Sequence, residues 1–429
     1  MKTFVFIDSV GSGRELAYLF KANQMRVINI KTPIFVSGQR TESNIFNEEI
    51  EFNMDFSSLV KSLAKQRIIG FYAPVDYNHK LKYELTKYFF PERINSKGDP
   101  DTSNKDTLQS FLKKLDIPNF PCVEIDDEKT FSNFIKNFDM FIVKPRLSNG
   151  SINTKVYNSS NYDYEFQNKK GGYFRNSSFI AQPYFLGKEY TCSFSWYMNN
   201  DNKLKIKIRS IVHLEKILVD GVPVPQLSTL VNHEDKIVKR IETYLEKICP
   251  YLPMKFGSAS FGFILEACTD ILYIIDFNDR LSDLSGSSLG TFKSTGGTQM
   301  LDFINLHICP EEFNFQANLP YLTRSLTCIF YLLVKKEGFL NCSTDNVGQF
   351  NNAIKNLDSY QTHYLEVFDS SGIKYVNKTI RQRQQIARVT LSHRDPNILK
   401  ADKEKMFAMQ EELNDSIRKD DTDGLLNIL

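Results

Sequence analysis

The segment Gly257–Arg280, GSASFGFILEACTDILYIIDFNDR, constrains this chain more than any other. Two apolar runs flank a short polar connection, which reads as two β-strands joined tightly near Thr269. Strand side chains alternate between faces, so Asp276, Asn278 and Arg280 share one face at the end of the second run. A carboxylate, an amide oxygen and a guanidinium on one face can hold a divalent cation and a phosphate together. The same trio also fits a strand that leaves the core and turns polar. Which reading holds depends on whether other segments bring a nucleotide to it.

Composition removes several classes of function. At 429 residues the chain has room for two or three domains, and 41% hydrophobic residues suffice for sizeable cores. A net charge of +2 argues against bulk electrostatic attraction to nucleic acid or to a membrane surface. The seven cysteines show no paired spacing and no Cys/His cluster, which argues against a zinc site and fits a reducing, cytoplasmic setting. The opening MKTFVFIDSVGSG is interrupted by Asp8 too early for a signal peptide, and no apolar run is as long as a membrane span.

Along the chain, Thr3–Asp8 reads as a strand, Ser9–Gly13 as a turn, Arg14–Asn23 as a helix and Met25–Ile30 as a second strand. This β-α-β opening is that of a doubly wound sheet. The glycines of the turn fit either a phosphate-facing loop or a plain tight turn. Ile68–Tyr72 is another buried strand, and the polar run Asn95–Asn104 marks a boundary. A helix Lys105–Leu115 follows, then a strand Met140–Pro145, a Gly/Ser/Asn loop Arg146–Asn153, and strands at Thr154–Tyr157, Phe179–Pro183 and Glu189–Tyr197. Lys203–Ile211 alternates lysine with apolar residues, the pattern of a half-exposed strand. Glu234–Cys249 and Gln299–His307 read as helices. Lys400–Arg418 is a charged terminal helix, open to packing on the N-terminal domain, to dimerisation or to solvent.

Several residues carry potential chemistry. Lys144 ends an apolar strand and precedes the flexible loop RLSNGSIN, whose amides suit phosphates; it also fits a solvated strand end. Lys105 starts a helix and, taken alone, reads as a surface lysine. In QPYFLGKE, the backbone of Pro183, Tyr184 and Phe185 suits an adenine edge and Glu189 suits ribose hydroxyls, or the segment is a charged turn. Lys205, Lys207 and Arg209 share a strand face that lines either a polyanion or solvent. His213 reads as structural.

Together these pieces resemble the ATP-grasp superfamily, in particular its carboxylate–amine ligases, in family order from about Asn95 to Pro310. NKDTLQSFLKKLDIPNFP is similar to the segment with a helix-starting nucleotide lysine, here Lys105. MFIVKP matches the strand with the second lysine, Lys144. RLSNGSIN resembles the small-residue phosphate loop, placing Gly150 and Ser151 in its cradle. FIAQPYFLGKEYTCSF is similar to the adenine hinge and ribose acid, giving Gln182, Pro183, Tyr184, Phe185 and Glu189. Arg209 stands where the family has a basic residue near the phosphates. IIDFNDR is similar to the E-x-N-x-R signature, which implies Asp276 and Asn278 as metal ligands and Arg280 as the catalytic arginine.

The resemblance implies an α/β chain, α+β in its central part. A Rossmann-like pre-ATP-grasp domain spans 1–95, a two-lobed ATP-grasp domain 96–310 and a C-terminal extension 311–429. It implies ATP and Mg2+ or Mn2+ as cofactors, and ligation of a small carboxylate, such as an amino acid, to an amine through an acylphosphate. Nucleic acid and membrane are not expected partners, and a homodimer is open to it. Two departures stand out. The family's first metal carboxylate, on the strand before the signature, falls on Gly262, and Asp283 takes the place of the glycine after the arginine. If the hairpin closes near Thr269, Gly262 faces Asp276, while Glu266 lies about 13 Å further along the strand. These departures keep open a second class: a nucleotide-binding regulatory protein with an impaired metal site.

Overall fold

Short β-branched and aromatic runs separated by amphipathic helices build the N-terminal part. The computed structural model describes residues 1–33, 44–53, 55–146, 154–161, 179–199, 201–282, 287–335, 338–340, 344–365, 378–380 and 385–416. The expected loop residues Gly150 and Ser151, and Asp283, lie outside the described residues. The chain divides into two compact units: Met1–Ile211, His233–Ser285 and Gly297–Tyr321 form the first, and Val212–Asn232, Gly286–Gly296 and Leu322–Leu429 the second.

In the first unit, four parallel strands lie in the order Glu48–Glu51, Arg26–Lys31, Lys2–Ile7, Arg67–Tyr72. The helices Ser12–Ala22 and His79–Phe89 belong to this α/β layer, and Phe4, Phe6, Leu16 and Phe20 pack as one of its cores. Chain order reverses on the two sides of Lys2–Ile7. Ligands of such sheets sit outside the carboxyl ends of the strands at that switch point, and the turn after Arg67–Tyr72 emerges there.

A small antiparallel sheet follows, in the order Val123–Glu124, Phe179–Pro183, Met140–Pro145, Lys155–Asn158. Its strands Met140–Pro145 and Phe179–Pro183 have the bounds that their apolar runs predict. Phe131, Phe134, Phe141 and Val143 form its core. A second antiparallel array carries Leu272–Asn278, Phe256–Glu266, Gly187–Met198 and Leu204–Val219 in that order. The helix Lys236–Ile248 buries Ile237, Val238, Ile241, Leu245 and Ile248, each contributing about 1.5–3 kcal/mol if fully buried. Asp235 caps it by accepting from the Ile237 N–H at 2.9 Å.

The second unit pairs its strands antiparallel in the order Val222–Leu230, Leu326–Leu333, Gln385–His393, Tyr360–Leu365, with Gln385–His393 inserted between two strands that precede it in the chain. The terminal helix runs from Pro396 to Ser416 and packs Leu399 and Met406 into this unit's core. Gln410 Oε1 accepts from the Leu333 N–H at 2.7 Å and Asn414 Oδ1 from that of Lys335 at 2.7 Å. Of the placements open to this helix, it takes one that sequence did not suggest, a side-chain clamp on a strand end of its own unit. Among the described residues no helix is long and apolar enough to cross a membrane.

Candidate active site

The strands Phe256–Glu266 and Leu272–Asn278 pair antiparallel, with Gly262 opposite Asp276. The register shifts between Gly262 and Phe263, leaving Ile275 as the extra residue of a bulge. The turn places Asp270 at φ 55°, a conformation that Asp tolerates better than most residues. Asp276, Asn278 and Arg280 then form a chain of side-chain bonds. Asn278 Nδ2 donates to Asp276 Oδ2 at 3.1 Å, and Arg280 Nη2 donates to Asn278 Oδ1 at 3.2 Å.

Both expected lysines reach this trio. Lys105 is buried and its Nζ lies 3.8 Å from Asp276 Oδ1. Its helix is pinned to the signature strand by Gln109, whose Nε2 donates to Ile274 O at 2.8 Å. Lys144 feels Lys105, Asp276 and Glu189 electrostatically; burial, reinforced by the Lys105 charge, lowers its pKa to about 8. Burial raises the Asp276 carboxyl, but Lys105, Lys144, Asn278 and Arg280 outweigh it and hold the group below the usual range. The site therefore keeps a full carboxylate among three cations.

The N-terminal segment adds residues that sequence reasoning missed. Asp76, on the turn after Arg67–Tyr72, accepts from Arg280 Nε at 3.0 Å across 204 residues of sequence. Burial raises the Asp76 pKa, with Arg280 opposing and Asp276 adding to the rise. His79 Nε2 lies 3.7 Å from Asp76 Oδ1, and burial pushes the imidazole well below its usual pKa, so it is neutral at pH 7. Lys82, from the same helix as His79, forms a buried ion pair with Asp279 and donates to its carbonyl at 3.0 Å. Asp279 precedes Arg280 and the Leu281 N–H after it donates to Tyr72 Oη at 3.2 Å, so the end of the signature strand is held on both sides of the arginine. The sequence signal was slight: a cluster of polar residues, Asp76–His79, after a buried strand.

In the segment expected to form the adenine hinge, Gln182 is buried and donates to Cys122 Sγ at 3.5 Å. Pro183 ends its strand opposite Phe141. The Tyr184 N–H is engaged by Met140 O at 3.0 Å, so it does not face a base. Phe185 stacks on Tyr273 with centroids 4.5 Å apart, and Phe120 closes edge-on at 5.5 Å. Glu189 pairs opposite Ile264. Arg146, at the start of the expected phosphate loop, bridges Asp106 at 2.7 Å and Glu124.

Arg209 is placed differently. The strand Leu204–Val219 buries Lys207 and Arg209, contrary to the half-exposed expectation, while Lys205 stays partly exposed. Lys205 Nζ donates to Asn318 Oδ1 at 2.6 Å and Lys207 Nζ to Leu319 O at 2.8 Å. Arg209 is buried and bidentate on Asp302, with Nε 2.7 Å from Oδ2. A Cβ on Gly297 would fall 2.2 Å from Arg209 Nη1, so glycine lets the loop lie on the guanidinium. Lys207 and Arg209 on this face meet carbonyls and a carboxylate of the chain itself.

No family model matches the sequence, and no curated protein matches it. Solved structures do match. An L-amino acid ligase from Bacillus licheniformis superposes with a TM-score of 0.65 at 12% identity, over 98% of this chain and 99% of that one. N5-carboxyaminoimidazole synthetase from Staphylococcus aureus, in complex with ADP, gives 0.61 at 13% identity, over 95% and 98%. N5-carboxyaminoimidazole ribonucleotide synthetase from Thermotoga maritima gives 0.59 at 14% identity, over 96% and 98%. The chain has the ATP-grasp fold.

The ATP-grasp frame makes the pairing of Gly262 with Asp276 informative, because a glycine stands where the resemblance implies a carboxylate. Glu266 does not replace it: it lies opposite Gly187 and its carboxylate accepts from Thr269 Oγ1 in the turn. The donors that remain, Asp276 and the Asn278 amide oxygen, are hard oxygens on one strand face. Mg2+ is commonly held by one or two carboxylates, with phosphates and waters completing its octahedron. The residues present fit such an ion.

Proposed function

We propose that this chain is an ATP-dependent carboxylate–amine ligase acting on a small carboxylate, an amino acid being the favoured class. The observation that carries the reading is the convergence of Lys105, Lys144, Asp276, Asn278 and Arg280, from separate segments of an ATP-grasp fold, on one strand end. Cations drawn together at the cost of desolvation imply a compensating polyanion. The L-amino acid ligase likeness supports the substrate class by analogy.

Lys105 and Lys144 bind the nucleotide phosphates, and the segment Pro183–Phe185, through groups other than the engaged Tyr184 N–H, holds the nucleoside with Glu189. Asp276 and Asn278 would hold Mg2+ or Mn2+, which when bound neutralises phosphate charge. Arg280, oriented by Asp76, stabilises charge on the phosphoryl group as it passes to the substrate carboxylate. The amine then displaces phosphate from the acylphosphate, and the same guanidinium faces the oxyanion. With ATP, Mg2+, hydroxylamine and a panel of amino acids, we expect ADP release coupled to hydroxamate formation. ATP binding without turnover on any acid would favour the second reading, a nucleotide-binding regulatory protein, for which Gly262 opposite Asp276 is the specific support.

The lowered pKa of Lys144, about 8, predicts a pH dependence. The ammonium form binds phosphate, so affinity is highest below that value and falls as pH rises through it. The dissociation constant of a nonhydrolysable ATP analogue should rise about tenfold between pH 7 and 9. Lys144→Met should bind weakly at pH 7 and lose the dependence. A titration calorimetry series in both proteins checks this, and a flat wild-type profile would remove Lys144 from the phosphate site.

A further inference from the structure

The cation face of the signature hairpin carries an unusual local structure. The bulge at Ile275 falls beside the pair Gly262–Asp276. A Cβ built on Gly262 would lie 3.3 Å from Ile275 Cγ1, 3.4 Å from Asp276 Cβ and 3.8 Å from Ile275 Cδ1. An aliphatic side chain therefore borders the position from which a second carboxylate would extend. Among the described residues, the other carboxylates nearby are engaged elsewhere: Asp76 on Arg280, Asp279 on Lys82 and Glu266 in its own turn. Among the described residues no group of three His, Cys, Asp or Glu side chains is placed to hold a metal ion.

We propose that this site takes a single divalent cation with its nucleotide, held by Asp276 and Asn278, and that its described residues offer no seat for a second. The physical argument is one of donors. A hard dication released from water needs anionic oxygens in return. The nucleotide phosphates and Asp276 supply enough for one ion. A second ion would border Gly262, which has no side chain, and the hydrocarbon of Ile275, which offers no lone pair. Lys105, 3.8 Å from Asp276 Oδ1, already places a fixed positive charge beside the Asp276 carboxylate, which disfavours further cations by repulsion. The inference rests on the nucleotide reading above.

The test counts bound Mn2+ by electron paramagnetic resonance in the full chain saturated with a nonhydrolysable ATP analogue, with analogue binding measured in parallel. One Mn2+ per bound analogue is expected in the wild type. Asp276→Asn should weaken that ion at least about tenfold. Gly262→Glu, combined with Ile275→Val to make space, should raise the count to two. Two ions in the wild type would overturn the proposal, and so would a folded double variant that still bound one. If the double variant does not fold, the wild-type count decides alone. Failure of the analogue to bind, with or without Mn2+, would overturn the nucleotide reading itself.

Discussion

Arg280→Ala should lower turnover by about a thousandfold while leaving affinity for a nonhydrolysable ATP analogue within about threefold. A guanidinium aimed at a transferring phosphoryl group acts mainly in the transition state, and losses of this order follow its removal. The structure adds a reason why lysine should not substitute. Arg280 uses Nε for Asp76 at 3.0 Å and Nη2 for Asn278 at 3.2 Å, a fork that a single ammonium cannot reproduce. Asp76→Asn should produce part of the same loss with little change in nucleotide affinity, because it releases Arg280 without touching the phosphate lysines. The measurement is steady-state ADP release with the best acid from an amino-acid panel, beside binding of the analogue. Equal losses of binding and turnover in Arg280→Ala would place the arginine in ground-state binding instead.

Asp302→Ala should destabilise the protein by about 3–5 kcal/mol, because removing one partner of a buried ion pair leaves the other charge uncompensated. Asp302 is fully buried in the first turn of the helix Gln299–Ile308, and Arg209 is nearly so. Replacing both members with apolar residues of similar volume, Arg209→Met with Asp302→Leu, should recover most of the loss. Urea unfolding of the three proteins measures this. The double variant also separates roles for Arg209. If the pair is structural, the refolded double variant binds the ATP analogue within about threefold of wild type. A large loss of binding in a stable double variant would return Arg209 to the phosphates.

Much of this fold was legible because its signals are local. MFIVKP is an apolar run ended by proline and is a strand with those bounds. The period of apolar residues from Ile237 to Ile248 marks a buried helix face, and they are buried. Gly262 faces Asp276 because strand alternation and the position of the turn leave little freedom of register. Other features were not legible because their partners are far away in sequence. The alternation Lys205, Lys207, Arg209 has the period of a half-exposed strand. Its burial depends on Asp302 and the carbonyl of Leu319, contributed by segments about a hundred residues later. Beyond a polar cluster after a buried strand, little local distinguishes Asp76 or Lys82 from surface residues, yet both are held at the signature strand.

By itself, the sequence determined the strand that carries Asp276, Asn278 and Arg280, their common face, and the lysines able to join them. Alternation and apolar periodicity act between neighbours, within a few ångströms, and so are written in residue order. Only the tertiary structure decided which charges would be compensated. It gave Arg209 to Asp302, set Asp76 behind Arg280, and placed Ile275 beside Gly262. A buried charge must be paired wherever the partner lies in the chain, and that requirement is met in space rather than in sequence.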